Sequence, residues 1–221
     1  TMRMKDWDVD VYLTASQKAI GLPAGLALLV ASARAMSARD ALGSPPPMSG
    51  DWHEWRPVME AYEARRPSYF ATPPTTLVRA LAVGLGEILG DGDPVAAMDA
   101  RFAVHERAAS TMRAAWEALG LELLPAASAV ANALSAVKYP DGIGPELVGE
   151  VVQRGVVIAG GLYPGLQSTY FRVGHMGYAA TRPDMLFRTV RAIAEALSAA
   201  GHPVPVDAPL EAARRTWEVA D

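Results

Sequence analysis

The residue in this sequence best placed to do chemistry is Lys18. The chain has three lysines, at positions 5, 18 and 138. Lys18 stands in VDVYLTASQKAIGLPAG (Val9 to Gly25), at the end of a run rich in Val, Tyr, Leu and Thr, with four residues between it and a Pro-Ala-Gly turn that begins at Pro23. An amine projecting from a strand end into a partly apolar crevice occupies the usual ligand position of an open α/β sheet. Desolvation disfavours the ammonium form of an amine, and the neutral form is the nucleophile that Schiff-base formation with an aldehyde needs. A lysine after a strand is more commonly a surface residue, so Lys18 alone leaves both readings open.

Composition removes several other chemistries. There is no cysteine among the 221 residues, so disulfides, thiolate metal sites and cysteine nucleophiles are excluded for this chain. The formal net charge of −4 argues against a nucleic-acid binder, which would show a basic stripe. The longest apolar stretch, Ala19 to Ala33, is broken by Pro23 and glycines and is too short to cross a bilayer. A soluble, intracellular protein without a membrane partner is therefore expected. The opening TMRMKDWDVDVYLTAS has no initiator methionine and no leader-like pattern, and reads as the later part of something longer. The final WEVAD does not match a Ser-Lys-Leu type address.

The elements that must position Lys18 can be read from periodicity. Residues 9 to 15 and GLALLVA (25 to 31) read as strands buried on both faces. Two strands make no sheet worth burying, so an incomplete sheet with an orphaned edge is expected. SARAMSARDAL reads as a short helix, GSPPPMSGD (Gly43 to Asp51) as an extended linker, and WHEWRPVMEAYEARR and PTTLVRALAVGLGEIL as helices. Prolines keep the intervening PSYFATPP irregular. The clearest helix follows GDGD, with Asp93 as cap, Pro94 in the first turn and Gly120 as stop. Its apolar stripe runs Val95, Met98, Phe102, His105, Ala109, Met112, Trp116, Leu119, which makes it a packed face with His105 as a hydrogen-bonded core histidine. Beyond it come strands near LELLP and ALSAVKYP, a helix GPELVGEVVQR, strands VVIAG and STYFRVGHMG, and a final helix RPDMLFRTVRAIAEALSAA. That mixture makes a small domain with helices on one face of a sheet.

Four separated stretches carry a resemblance. LTASQKAIGLPAGL resembles the pyridoxal phosphate lysine segment of the class V aminotransferases, and in particular of the alanine–glyoxylate and serine–pyruvate group. SYFATPP (Ser68 to Pro74) resembles that group's Tyr-x-x-Thr-x-Pro element, KYPDGIG its small-domain turn, and VIAGGLYPGLQSTYFRVGHMG its glycine pair followed by an FRIGHMG strand. The order is that of the family over nearly the whole chain. The resemblance implies an α/β fold, the C-terminal part of a fold type I transferase, with residues 1–92 in an incomplete large, cofactor-binding domain and residues 93–221 forming the long helix and a small C-terminal domain.

It also implies roles for residues. Lys18 would hold pyridoxal 5′-phosphate as a Schiff base and move the proton between the amino acid's Cα and the cofactor. Gln17 matches a position that contacts the cofactor phosphate, or is simply a polar strand-end residue. Tyr69 and Thr72 match a pair that reaches the phosphate in the neighbouring subunit of a homodimer with shared sites; as neutral donors on a stiff loop they suit a dianion, or are turn residues. Arg172 would take the α-carboxylate of the amino and 2-oxo acid substrates in its planar fork, the alternative being a buried ion pair. Gly160 and Gly161 allow close backbone approach or end a strand, and His175 carries no assigned role. The activity implied is transamination between alanine or serine and glyoxylate or pyruvate. The competing reading is a noncatalytic remnant that keeps packing and dimer surfaces. The acid for the pyridine nitrogen, the stacked ring and the phosphate turn of the family all lie further upstream than the seventeen residues before Lys18. Where the family has Pro-Pro-Gly, this chain has Pro23-Ala24-Gly25.

Overall fold

The computed structural model describes residues 2–219; Thr1 and the Ala220–Asp221 end of WEVAD lie outside the described residues. The chain divides into two compact units: residues 1–17 with 23–85, and residues 18–22 with 86–221.

In the first unit, β1 (Val11–Ala15) pairs antiparallel with β2 (Ala27–Ala31), Val11 opposite Ala31 and Ala15 opposite Ala27. Ser16 closes the hairpin: its buried hydroxyl donates to the Pro23 carbonyl at 2.7 Å and its amide donates to the Leu26 carbonyl at 3.1 Å. The expected burial of these strands on both faces is not what the structure shows, since Leu13 is 63% and Val30 56% exposed. The reason is the size of the sheet: among the described residues β1 and β2 pair only with each other, and a lone hairpin leaves both faces open. The sheet is thus incomplete in the expected sense.

Three helices follow. Ser32 caps α1 (Ala33–Asp40) by accepting from the Ala35 amide at 3.0 Å, and Asp51 caps α2 (Trp52–Glu63) by accepting from the His53 amide at 3.0 Å. Asp51 is also held by Arg39 at 2.9 Å in a largely buried pair. Between α2 and α3 (Thr75–Leu89) the proline-rich loop stays irregular, pinned by the Trp55 and Phe70 rings meeting edge-on at 5.3 Å.

The second unit is organised by α4 (Pro94–Ala118). Asp93 accepts from the Val95 and Ala96 amides at 3.1 and 3.3 Å, and Pro94 takes a first-turn position where no N–H is needed. At the far end Gly120 adopts φ 70°, while the Leu121 and Gly120 amides return to the Trp116 and Glu117 carbonyls, the double bond of a Schellman stop. The predicted stripe is buried from His105 onward, through Ala109, Met112, Trp116 and Leu119, whereas Val95 at its start is exposed.

The sheet of this unit has the order β3-β5-β4, all antiparallel, from β3 (Leu134–Lys138), β4 (Ala159–Gly160) and β5 (Tyr170–Gly174). LELLP contributes only a bridge from Leu123 to Val137. Helices α5 (Leu147–Gln153) and α6 (Pro183–Ala199) appear as expected. RPDMLFRTVRAIAEALSAA is not the last helix, however: α7 (Asp207–Val219) follows and buries Leu210 and Ala213. Three prolines in HPVPVDAPLE mask it in the sequence, yet Pro209 falls in the first turn, where proline costs no hydrogen bond. Arg107 of α4 stacks 4.1 Å from the Trp217 ring of α7. One continuous core joins α4, β3, β5, α5, α6 and α7, with Met112, Trp116, Val137, Phe171, Ile193, Leu197 and Leu210 fully buried. No helix of the described residues is long and apolar enough to cross a membrane.

Candidate active site

Lys18 lies in the turn that follows β1 and is exposed. A desolvating crevice is therefore not formed around it by the residues described. Lys138 is ion-paired with Glu122 at 2.8 Å, but no carboxylate pairs with Lys18 among the described residues. The Gly21 amide bonds the Lys18 carbonyl at 2.9 Å, closing a tight turn in which Gly21 has φ 83°. Gln17, its neighbour, is also exposed.

The lysine turn, residues 18–22, belongs to the second unit although the hairpin that carries it belongs to the first. Its contacts explain this. Arg101 of α4 donates from Nη2 to the Ala19 carbonyl at 2.9 Å. Gly21 meets Gly177 backbone to backbone: a Cβ on Gly21 would lie 2.7 Å from the Tyr178 nitrogen, and a Cβ on Gly177 would lie 2.8 Å from both Gly21 Cα and the Lys18 oxygen. Only glycine fits at either position.

Gly177 lies in the turn that continues β5, the strand carrying Arg172. Arg172 is half-buried and donates from Nε to the Gly160 carbonyl of β4 at 2.8 Å. The ion-pair alternative is not realised, as no carboxylate pairs with Arg172 among the described residues. Its two terminal nitrogens therefore stay available while Nε sets the orientation of the plane. Gly160 has nothing within 4 Å of an added Cβ, but at Gly161 a Cβ would meet Gln167 O and Tyr170 Cε1 at 2.7 Å. Gly161 is required by packing. The Tyr170 hydroxyl accepts from the Leu162 and Tyr163 amides at 3.0 Å each, which lowers its pKa and pins the same loop.

Tyr69 and Thr72 are brought together in the first unit, with Tyr69 Oη and Thr72 Oγ1 2.9 Å apart and both residues exposed. His175, left without a role by its motif, is fully buried with Nε2 3.0 Å from the Ser135 hydroxyl. Burial, with Arg113 and His105 nearby, pushes its pKa down to about 4, so it is a neutral core residue. Sequence reading did not foresee Arg101, Ser16 or Tyr170. Their partners are backbone groups, which leave no residue-type signal.

No family model matches the chain. Alanine–glyoxylate aminotransferase 1 of Saccharomyces cerevisiae is 36% identical over 189 residues, covering 81% of this chain and 46% of that protein. Pyridoxamine–pyruvate transaminase of Mesorhizobium japonicum is 30% identical over 216 residues, covering 95% of this chain and 51% of that protein. The crystal structure of pyridoxamine–pyruvate aminotransferase from Mesorhizobium loti superposes with a TM-score of 0.86 at 27% identity, covering 100% of this chain and 55% of that one. The chain spans about half the length of the curated relatives it matches. In sequence and in backbone it is therefore homologous, over nearly all its residues, to about half of a class V, fold type I aminotransferase of the pyridoxal phosphate-dependent family that includes the alanine–glyoxylate enzymes.

Proposed function

We propose that this chain is the lysine-bearing C-terminal part of an aminotransferase that binds pyridoxal 5′-phosphate and moves an amino group between a small amino acid, alanine or serine, and glyoxylate or pyruvate. One observation carries the reading. The strand that carries Arg172 ends at Gly174, three residues before Gly177, against which the lysine turn is seated, so a short continuous segment ties a candidate carboxylate receptor to a candidate nucleophile.

The donor chemistry fits the cofactor: an amine without a carboxylate partner among the described residues, and two neutral hydroxyls that pair with each other. When bound, pyridoxal phosphate supplies an electron sink for the substrate Cα. Lys18 anchors it and shuttles the Cα proton as general base and acid. Arg172, its plane set by the Gly160 carbonyl, takes the substrate carboxylate in two parallel hydrogen bonds. Gln17, Tyr69 and Thr72 donate to the phosphate, the latter two serving the site of the other subunit in a homodimer. Residues 1–92 then belong to the cofactor-binding domain and 93–221 to the long helix and small domain. The names of the relatives, which pair alanine or serine with glyoxylate and pyridoxamine with pyruvate, support the acceptor class.

The test is direct. Adding pyridoxal 5′-phosphate and then borohydride leaves a stable pyridoxyl mass on Lys18, located by peptide mapping, and Lys18→Ala loses both the mass and amino-group transfer while melting at the same temperature. Labelling spread over Lys5 and Lys138, or transfer retained in Lys18→Ala, overturns the assignment. Labelling of Lys18 with no transfer by any form of the protein supports the remnant reading instead.

A further inference from the structure

Gly177, whose backbone touches the lysine turn, is bonded to a buried histidine. Gly177 can only donate through its amide, and it does so to His105 Nε2 at 3.1 Å. His105 Nε2 is therefore the acceptor, which places the ring proton on Nδ1, and Nδ1 lies 2.8 Å from the Arg101 carbonyl. Both ring nitrogens of this buried side chain are thus committed, one to α4 and one to the turn after β5. Burial lowers the pKa of His105, in keeping with the neutral tautomer.

Arg101 and His105 are one helical turn apart on the same face of α4. Arg101 reaches the Ala19 carbonyl with its guanidinium and receives His105 with its own carbonyl. Between these two supports the Gly21 and Gly177 backbones touch, with no side chain at either position that could adjust. A shift of Gly177 therefore passes to Lys18, whose carbonyl oxygen lies 2.8 Å from where a Gly177 Cβ would be. We propose that His105 is a positioning residue for Lys18: by bridging the Arg101 carbonyl to the Gly177 amide it fixes the shelf on which the lysine turn rests. The inference deepens the aminotransferase reading and rests on it for its catalytic meaning, though the shelf itself can be tested without any cofactor.

Hydrogen exchange on the apo chain separates the two. In His105→Leu, which keeps bulk but removes the acceptor, the amides of the 18–22 turn and of Gly177 and Tyr178 should exchange about tenfold faster or more, while β3 and α6 stay protected. His105→Gln, whose side-chain carbonyl can accept from the Gly177 amide, should restore protection at both turns. Pyridoxyl trapping on Lys18 should slow about fivefold in His105→Leu and recover in His105→Gln. Faster exchange at Gly177 with an unchanged lysine turn overturns the proposal, as does unchanged exchange at both. If His105→Leu loses protection throughout, Gly177→Ala decides the matter: it must loosen the 18–22 turn while β3 stays protected, and a lysine turn left protected overturns the proposal. Should the exchange results hold while wild-type Lys18 takes no pyridoxyl label, the shelf stands and the aminotransferase reading falls.

Discussion

At the scale of single residues the two buried histidines of the second unit show how little residue type says about role. His105 and His175 are both buried, but His105 uses both nitrogens on backbone groups, whereas His175 meets the Ser135 hydroxyl through Nε2. Burial disfavours a second proton on His175, and the cationic Arg113 and the neighbouring His105 oppose it further. Its folded pKa is about 4 against an unfolded value of about 6.5. The unfolded chain takes up the proton first, so the contribution is full above pH 6.5 and is lost as pH falls through that window towards 4. Urea unfolding at pH 7.5 and at pH 5 should differ by about 2 kcal/mol from this residue, and His175→Gln should remove that part of the slope. An unchanged slope in the variant would show that His175 is not what titrates.

At the scale of elements, the short β4 and the loop after it decide how Arg172 is presented. The two glycines there look equivalent in sequence and are not equivalent in space. Gly160 lies in open surroundings, so Gly160→Ala should be neutral or stabilising by up to about 1 kcal/mol. Gly161→Ala places a methyl group against the Gln167 backbone and the Tyr170 ring, neither of which can step aside, and should cost about 1–3 kcal/mol. Chemical denaturation of the two variants gives the comparison. Equal stabilities would mean that the loop re-forms around the methyl and that Tyr170 does not pin it.

At the scale of the whole molecule, the first unit exposes Val11, Leu13, Leu29 and Val30 on a two-stranded sheet, and it presents Tyr69, 72% exposed, on a stiff loop with Thr72. We propose that this loop serves a partner subunit's Lys18, which makes each active site a product of two chains. Complementation tests it in the form of the protein that shows transfer. A Lys18→Ala subunit and a Tyr69→Phe, Thr72→Ala subunit, each defective alone, should regain activity when mixed, because the mixed dimer has one site with every lesion and one with none. Random pairing predicts about a quarter of wild-type turnover. No recovery despite proven subunit exchange would place the loop at its own subunit's site.

Wherever the information is local, the sequence by itself determined the outcome. Asp93, Pro94 and Gly120 bound α4, Ser32 begins α1, and prolines keep the 64–74 loop irregular, because capping and φ restriction act within a few residues. The α/β class and the aminotransferase likeness were legible for the same reason, as motifs are contiguous stretches. It misjudged β1 and β2, whose apolar Leu13 and Val30 are exposed because the two strands pair only with each other among the described residues. It missed α7, hidden behind three prolines. What only the tertiary structure decided is the seat of Lys18. Residues 18–22 leave the unit that flanks them and dock on α4 and on the turn after β5, through backbone contacts between Gly21 and Gly177 that join positions 156 residues apart. A glycine in the sequence says that a side chain is absent, and only the folded chain shows which backbone comes to lie in the space.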